Sequence, residues 1–180
     1  MRKTREAMRA SLNRKTILKH IAMLVRPLAP HLSVSPQLSL ADVATVKAQG
    51  FRSIIVNRPD GEEAGQPTLV EMQEAASAAG LGFAAIPIVP GKATMEDAGQ
   101  FAAALAALEG PVVAYCRTGV RAATLWALSV GAGLEPDAVL ERIAAAGYDL
   151  NGLRPRLEAL YESSRSARAD GPCNGSSDAP

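Results

Sequence analysis

Cys116 and Arg121 are separated by four residues in the run Tyr115-Cys116-Arg117-Thr118-Gly119-Val120-Arg121. Before it, Val112, Val113, Ala114 and Tyr115 are apolar at every position, as a parallel strand buried on both faces would be. After it, residues 121–130 are almost all apolar and read as a helix. A loop joining such a strand to such a helix aims its amide N–H groups at one point, where the helix dipole also favours negative charge. A site of this kind holds an anion, and it holds a cysteine as thiolate, the form that attacks. Cys116 is therefore the candidate nucleophile and Arg121 the candidate partner for the charge that develops. Arg117, Thr118, Gly119 and Val120 form the candidate anion-binding loop: Gly119 permits a tight turn and the Thr118 hydroxyl can donate to the sulfur or to a bound anion. The competing reading is a structural cysteine at a strand end, followed by a solvated arginine.

Secondary candidates lie on the other loops that leave strands. Residues 57–66, 89–93 and 116–121 together hold Arg58, Lys92, Arg117 and Arg121, and basic residues so placed suggest an anion site. Arg58 is read either as the partner of a substrate's anionic end or as a surface arginine. Asp60 is read either as a general acid or as part of a Pro59-Asp60-Gly61 turn. Glu96 and Asp97 serve a helix start, and Trp126 belongs to the core.

The elements that position these residues alternate. Leu32–Ser35, 52–57, 83–88 and 111–115 read as strands. Ser39 with Asp42, Thr68 with Glu71 and Thr94 with Asp97 are capping boxes that open helices. Pro136 starts a further helix ending near Gly147, and a last one covers 154–162. Strand–helix repetition predicts an α/β three-layer sandwich with a mostly parallel central sheet. In such a sheet ligands bind at the carboxyl ends of the strands, where the candidate loops lie.

Charge divides the chain of 180 residues into three parts. Residues 1–26 carry eight basic residues and one acidic one. With Ile17, Leu18, Ile21, Leu24 and Val25 at helical spacing, they read as a basic amphipathic extension. That pattern suits peripheral contact with a membrane, a mitochondrial transit peptide, or an extension without a role in which Met23 is the true start. Residues 27–162 form the catalytic domain, acidic on balance, which argues against a nucleic-acid partner. Residues 163–180 read as a disordered tail, and Cys173 within it as incidental. The charge-free stretch Ala122–Leu134 is too short for the ~20 apolar residues of a membrane span. Two histidines, His20 and His31, and two cysteines offer no metal-binding spacing, so no metal and no cofactor are expected.

Four segments carry a family resemblance: Ser33-Val34-Ser35-Pro36-Gln37-Leu38, Asn57-Arg58-Pro59-Asp60-Gly61-Glu62-Glu63, Ile86-Pro87-Ile88-Val89-Pro90-Gly91 and Tyr115–Arg121. Together they resemble the phosphatase-like domain of the beta-lactamase-hydrolase-like protein family, over about residues 26–160. The resemblance implies a dual-specificity-phosphatase-like fold and a phosphatase or sulfurtransferase activity. In some relatives it also implies fusion to a persulfide dioxygenase or to transport domains.

Two departures bear on the reaction. Cysteine phosphatases resemble Cys-x5-Arg, whereas four residues intervene here, similar to the rhodanese type that carries a persulfide. Phosphatases also place an acid just after an Ile-Pro strand end, and here Val89-Pro90-Gly91-Lys92 follows Ile88. The sequence therefore predicts a cysteine-dependent sulfurtransferase acting through a Cys116 persulfide, with a small-molecule or protein persulfide or thiol as partner. The alternatives are a phosphatase acting on a phosphoester through a phosphocysteine, and a non-catalytic anion-binding module. A working thiolate implies a reducing compartment, by default the cytoplasm.

Overall fold

Three helices begin on the same device. Ser39, Thr68 and Thr94 stand at N-caps, and the carboxylates of Asp42, Glu71 and Asp97 each accept the cap's backbone N–H at 2.8 Å. Each box satisfies first-turn amides that would otherwise face water alone. They start α1 (Leu40–Ala48), α2 (Leu69–Ala78) and α3 (Met95–Ala107). A computed structural model of the chain describes residues 25–169; the amphipathic pattern of the N-terminal extension up to Leu24, and Cys173, lie outside the described residues.

Five strands form one sheet: β1 (Arg26–Ala29), β2 (Leu32–Ser35), β3 (Ser53–Val56), β4 (Gly82–Ala85) and β5 (Val112–Tyr115). Their order is β1-β2-β5-β3-β4. Only β1 runs antiparallel, against β2. β5 lies at the centre, pairing with β2 on one side and β3 on the other, with all four residues buried. The remaining helices are α4 (Val120–Val130), α5 (Pro136–Ala145, with Pro136 at its first turn) and α6 (Arg154–Ala169), which follows a 3-10 turn at Asn151–Leu153.

Side chains of β5 alternate between two cores, as the period of two demands. Val112 and Ala114 join Leu32, Val34 and Ile55 against Phe101, Leu125, Trp126, Ile143 and Leu157 of α3 to α6. Val113 and Tyr115 join Ile54 and Val56 against Val43, Val46, Met72 and Ala76 of α1 and α2. The result is the α/β three-layer sandwich with a largely parallel sheet. Each fully buried Leu, Ile or Val contributes roughly 1.5–3 kcal/mol to holding the layers together.

Two boundaries differ from the sequence reading. α6 runs to Ala169, past the expected end at 162, so residues 163–169 are helix and not tail. Its last turns are held by local and long-range contacts, including Ser163 Oγ donating to the Ala159 carbonyl at 2.8 Å and Arg168 to the Ala132 carbonyl at 3.3 Å. At the other end Arg26, assigned to the extension, opens β1 and pairs with Val34. Of the described helices, none is long and apolar enough to cross a membrane.

Candidate active site

Parallel register brings the loops together. Ser35 of β2, Tyr115 of β5, Val56 of β3 and Ala85 of β4 align at one edge of the sheet. The loops that leave β2, β5 and β3 therefore start side by side. Backbone bonds tie them to one another: Gln37 N–H donates to the Arg117 carbonyl at 3.3 Å, and Asn57 N–H to the Tyr115 carbonyl at 2.8 Å. The buried Asn57 side chain adds a bond from Nδ2 to the Ile86 carbonyl at 3.1 Å, which fixes the chain beyond β4.

Cys116 leaves β5 fully buried. Its Sγ accepts the backbone N–H of Gly119 at 3.1 Å. Gly119 is the N-cap of α4 with φ +93°, a left-handed conformation that side chains oppose. The loop thus closes a tight turn over the sulfur and points an amide at it. Thr118 and Val120 are exposed, and Arg117 extends outward to pair with Glu63, Nε to Oε1 2.8 Å.

Arg121 is buried and fully oriented. Its Nη1 and Nη2 donate to the two oxygens of Glu62, both at 2.7 Å, and Nη1 also donates to the Ile88 carbonyl at 2.6 Å. Its hydrogen bonds to Glu62 are the largest cause of its raised pKa; burial opposes them, and interaction with Cys116 adds to the rise. Three guanidinium N–H bonds are spent on the clamp.

Arg58 is not a surface arginine: it is 1% exposed. Its Nε donates to Glu62 Oε2 at 2.7 Å, Nη1 to Gln37 Oε1 at 2.6 Å, and Nη2 pairs with Glu63 at 2.9 Å. Burial works against its charge, and Glu63 and Glu62 outweigh it, so its pKa rises. The Arg121 hydrogen bonds, more than those from Arg58, hold the Glu62 carboxyl below the usual range against burial; hydrogen bonding to Arg58 does the same for Glu63. Asp60 accepts Leu69 N–H at 2.8 Å, so its carboxylate serves the start of α2. Lys92 is exposed in the turn after Ile88, and Asp97 caps α3. Trp126 is core.

Cys116, Gly119, Arg121 and Arg58 are thus brought together, whereas Asp60 is engaged elsewhere. Sequence reading missed Glu62, Glu63 and Gln37. The signal was present, since Glu62 and Glu63 share a loop with Arg58, and buried arginines need carboxylates of fixed geometry. Among the described residues, no cluster of histidine, cysteine and carboxylates is arranged to hold a metal ion. The assembly offers a buried sulfur, an amide on it and a clamped guanidinium, which suits covalent catalysis on a small anion.

Comparison with known proteins bears on this arrangement. The sequence model described as "Beta-lactamase hydrolase-like protein, phosphatase-like domain" matches residues 24–133. A beta-lactamase hydrolase-like protein of Agrobacterium fabrum is 44% identical over 97 residues, 54% of this chain and 22% of that one. One from Xylella fastidiosa is 37% identical over 121 residues, 66% of this chain and 28% of that one. The chain spans less than a third of the length of these relatives. Among solved structures, a candidate phosphatase of Neisseria meningitidis is 36% identical with TM-score 0.69, over 75% of this chain and 96% of that one. The catalytic core of a PP-IP phosphatase from S. cerevisiae shares the fold at 12% identity, with TM-score 0.56, over 81% of this chain and 89% of that one.

Proposed function

The chain belongs to the beta-lactamase hydrolase-like, phosphatase-like domain family and is a cysteine-based catalytic domain, and we propose that it transfers sulfane sulfur through a persulfide on Cys116. The observation behind this reading is the short loop. Four residues close from Cys116 to Arg121, Gly119 N–H already meets Sγ at 3.1 Å, and Arg121 is clamped by Glu62 and the Ile88 carbonyl. A cradle that small suits one added sulfur atom better than a phosphoryl group with three oxygens.

In the first step Cys116 thiolate attacks the outer sulfur of thiosulfate or a persulfide. The new S–S bond forms as the donor's S–S bond breaks, and the bonding pair leaves with sulfite or a thiolate. An acceptor thiolate then takes the outer sulfur, forming its own S–S bond and returning the pair to Cys116. Sulfite and thiolates leave without a proton, so the lack of a carboxylate after Ile88 is no obstacle. Loop amides and Arg121 hold the charge throughout. A nucleophile of this kind works in a reducing compartment, by default the cytoplasm, with a small-molecule or protein thiol as partner.

Phosphoester hydrolysis through a phosphocysteine is the second reading. It is supported by the likeness to a candidate phosphatase at 36% identity, and the comparisons favour it over sulfur transfer. It keeps the same nucleophile but needs an acid for poor leaving groups, and Asp60, one of whose oxygens accepts Leu69 N–H, is the candidate for that role.

Mass measurement after incubation with thiosulfate separates the two. Gain of one sulfur on Cys116, removed again by cyanide or a thiol, is the expected result. No gain, together with Cys116-dependent hydrolysis of aryl and alkyl phosphates at comparable rates, would replace the first reading with the second.

A further inference from the structure

Tyr148 has a hydroxyl with nothing to do. Its oxygen is buried and has no hydrogen-bond partner. An orphaned hydroxyl costs stability, so phenylalanine would pack here at less expense. The position is nonetheless strongly specified. α5 ends in a Schellman motif: Gly147 takes φ +82°, its N–H bonds to the Ala144 carbonyl at 2.8 Å, and Tyr148 N–H bonds back to the Ile143 carbonyl at 3.1 Å. That closure sends Tyr148 across to the catalytic loop. Arg26 of β1 holds the ring from the other side, its guanidinium 5.7 Å from the ring centroid and its Nη1 bonded to the Ala146 carbonyl at 3.2 Å.

The hydroxyl ends at Gly119. A Cβ at that position would clash with the Tyr148 hydroxyl oxygen and lie 2.7 Å from Cζ. Gly119 is the residue whose N–H meets Cys116 Sγ, so the phenol stands against the same amide that holds the nucleophile. Burial raises the phenol's pKa, Arg26 opposes the rise and Cys116 adds to it, so Tyr148 keeps its proton and can donate it.

We propose that Tyr148 is a further active-site residue, whose hydroxyl donates a hydrogen bond to the outer atom of the group carried on Cys116. In the persulfide reading, on which this proposal rests, that atom is the sulfane sulfur; in the phosphocysteine reading it is a phosphoryl oxygen. The buried hydroxyl, which has no partner within the protein, is the donor such a group would engage. Arg26 is a positioning residue that fixes the ring, and it gives the first strand a part in the site.

Tyr148→Phe in the full-length chain tests this. The variant should melt at or above the wild-type temperature, because it removes an orphaned hydroxyl. Alkylation of Cys116 by iodoacetamide should stay within about twofold of wild type, since Gly119 N–H and Arg121 remain. Sulfur loading from thiosulfate should slow by about tenfold, or ~1.4 kcal/mol of transition-state free energy. Arg26→Met, which keeps the hydroxyl and loses the stacked cation, should slow loading by about two- to threefold. Loading unchanged in Tyr148→Phe overturns the proposal, and so does a lower melting temperature, which would give the hydroxyl a structural partner. If wild type takes up no sulfur but hydrolyses p-nitrophenyl phosphate through Cys116, the persulfide reading fails alone. Tyr148 is then judged by kcat on that ester: a tenfold fall supports it and no change overturns it. If wild type does neither, both readings of the site fall with the proposal.

Discussion

The two ends of the central sheet are lined by opposite means. At the carboxyl ends of the strands Arg58 and Arg121 are buried and share Glu62, with Glu63 and Gln37 completing the set. At the amino ends a cavity of about 470 Å³ is lined by Leu32, Leu105, Leu108, Val112 and Trp126, beside His31. Apolar walls ask only for shape and tolerate a gap. Buried charges ask for partners at fixed distance and angle, and any missing partner costs several kcal/mol. The charged end therefore has one arrangement and the apolar end has many, and the candidate site lies where the arrangement is unique.

Cys116→Ser is the sharpest test of this contrast. All transfer or hydrolysis should disappear while melting temperature stays within a few degrees, and Cys173→Ser should leave both unchanged. Retained activity in the Cys116 variant, by mass or colorimetric assay, would remove the charged end from the chemistry. Trp126→Ala breaks the comparison from the other side. It should cost about 3–5 kcal/mol in urea unfolding, yet leave the Cys116 alkylation rate near wild type.

Glu62→Gln attacks the clamp itself. Two buried guanidinium groups lose their shared counter-charge, for about 3 kcal/mol, the low end for a broken buried pair because Glu62 is 20% exposed. Turnover should fall at least tenfold as Arg121 loses its orientation. The acid limb should change too. Glu62 and Glu63 have depressed folded-state pKa values, so their contribution is complete above the unfolded carboxyl value near ~4.3 and is lost as pH falls through the lower folded values. Wild-type melting should therefore drop steeply below about pH 4.3 and Glu62→Gln less so; parallel curves would deny the clamp its role. Gly119→Ala costs about 1–3 kcal/mol through its positive φ alone, and the Tyr148 ring must also shift to admit the new methyl. Its slower sulfur loading would be visible before any loss of fold.

What could be read in advance divides along similar lines. The capping boxes at Ser39, Thr68 and Thr94 are complete within four residues, so they are legible without a fold. β5 was legible because burial on both faces leaves four apolar residues in a row. β1 was not: Arg26-Pro27-Leu28-Ala29 has no strand pattern, and it is held by pairing with β2 across a turn. That Cys116 and Arg121 share one loop could be read from their spacing at a strand-to-helix junction. The burial of Arg58 was not, because it depends on Glu62, Glu63 and Gln37 arriving from two loops. Tyr148 was silent for the same reason, since its place depends on how α5 ends against a loop 29 positions earlier in the chain.

The strand order has a consequence for how the protein comes into being on the ribosome. β2 and β3 emerge early, but neither touches the other; each waits for β5, which is inserted between them. Until residues 112–115 have left the exit tunnel, the growing chain has two separate strand groups and no continuous sheet, and its decisive contacts span long sequence separations. Cys116 follows directly behind that keystone strand, and the amide and guanidinium that serve it come later still. An unfinished or truncated chain therefore lacks the arrangement around Cys116, and the candidate site comes into existence only once the fold that positions it is in place.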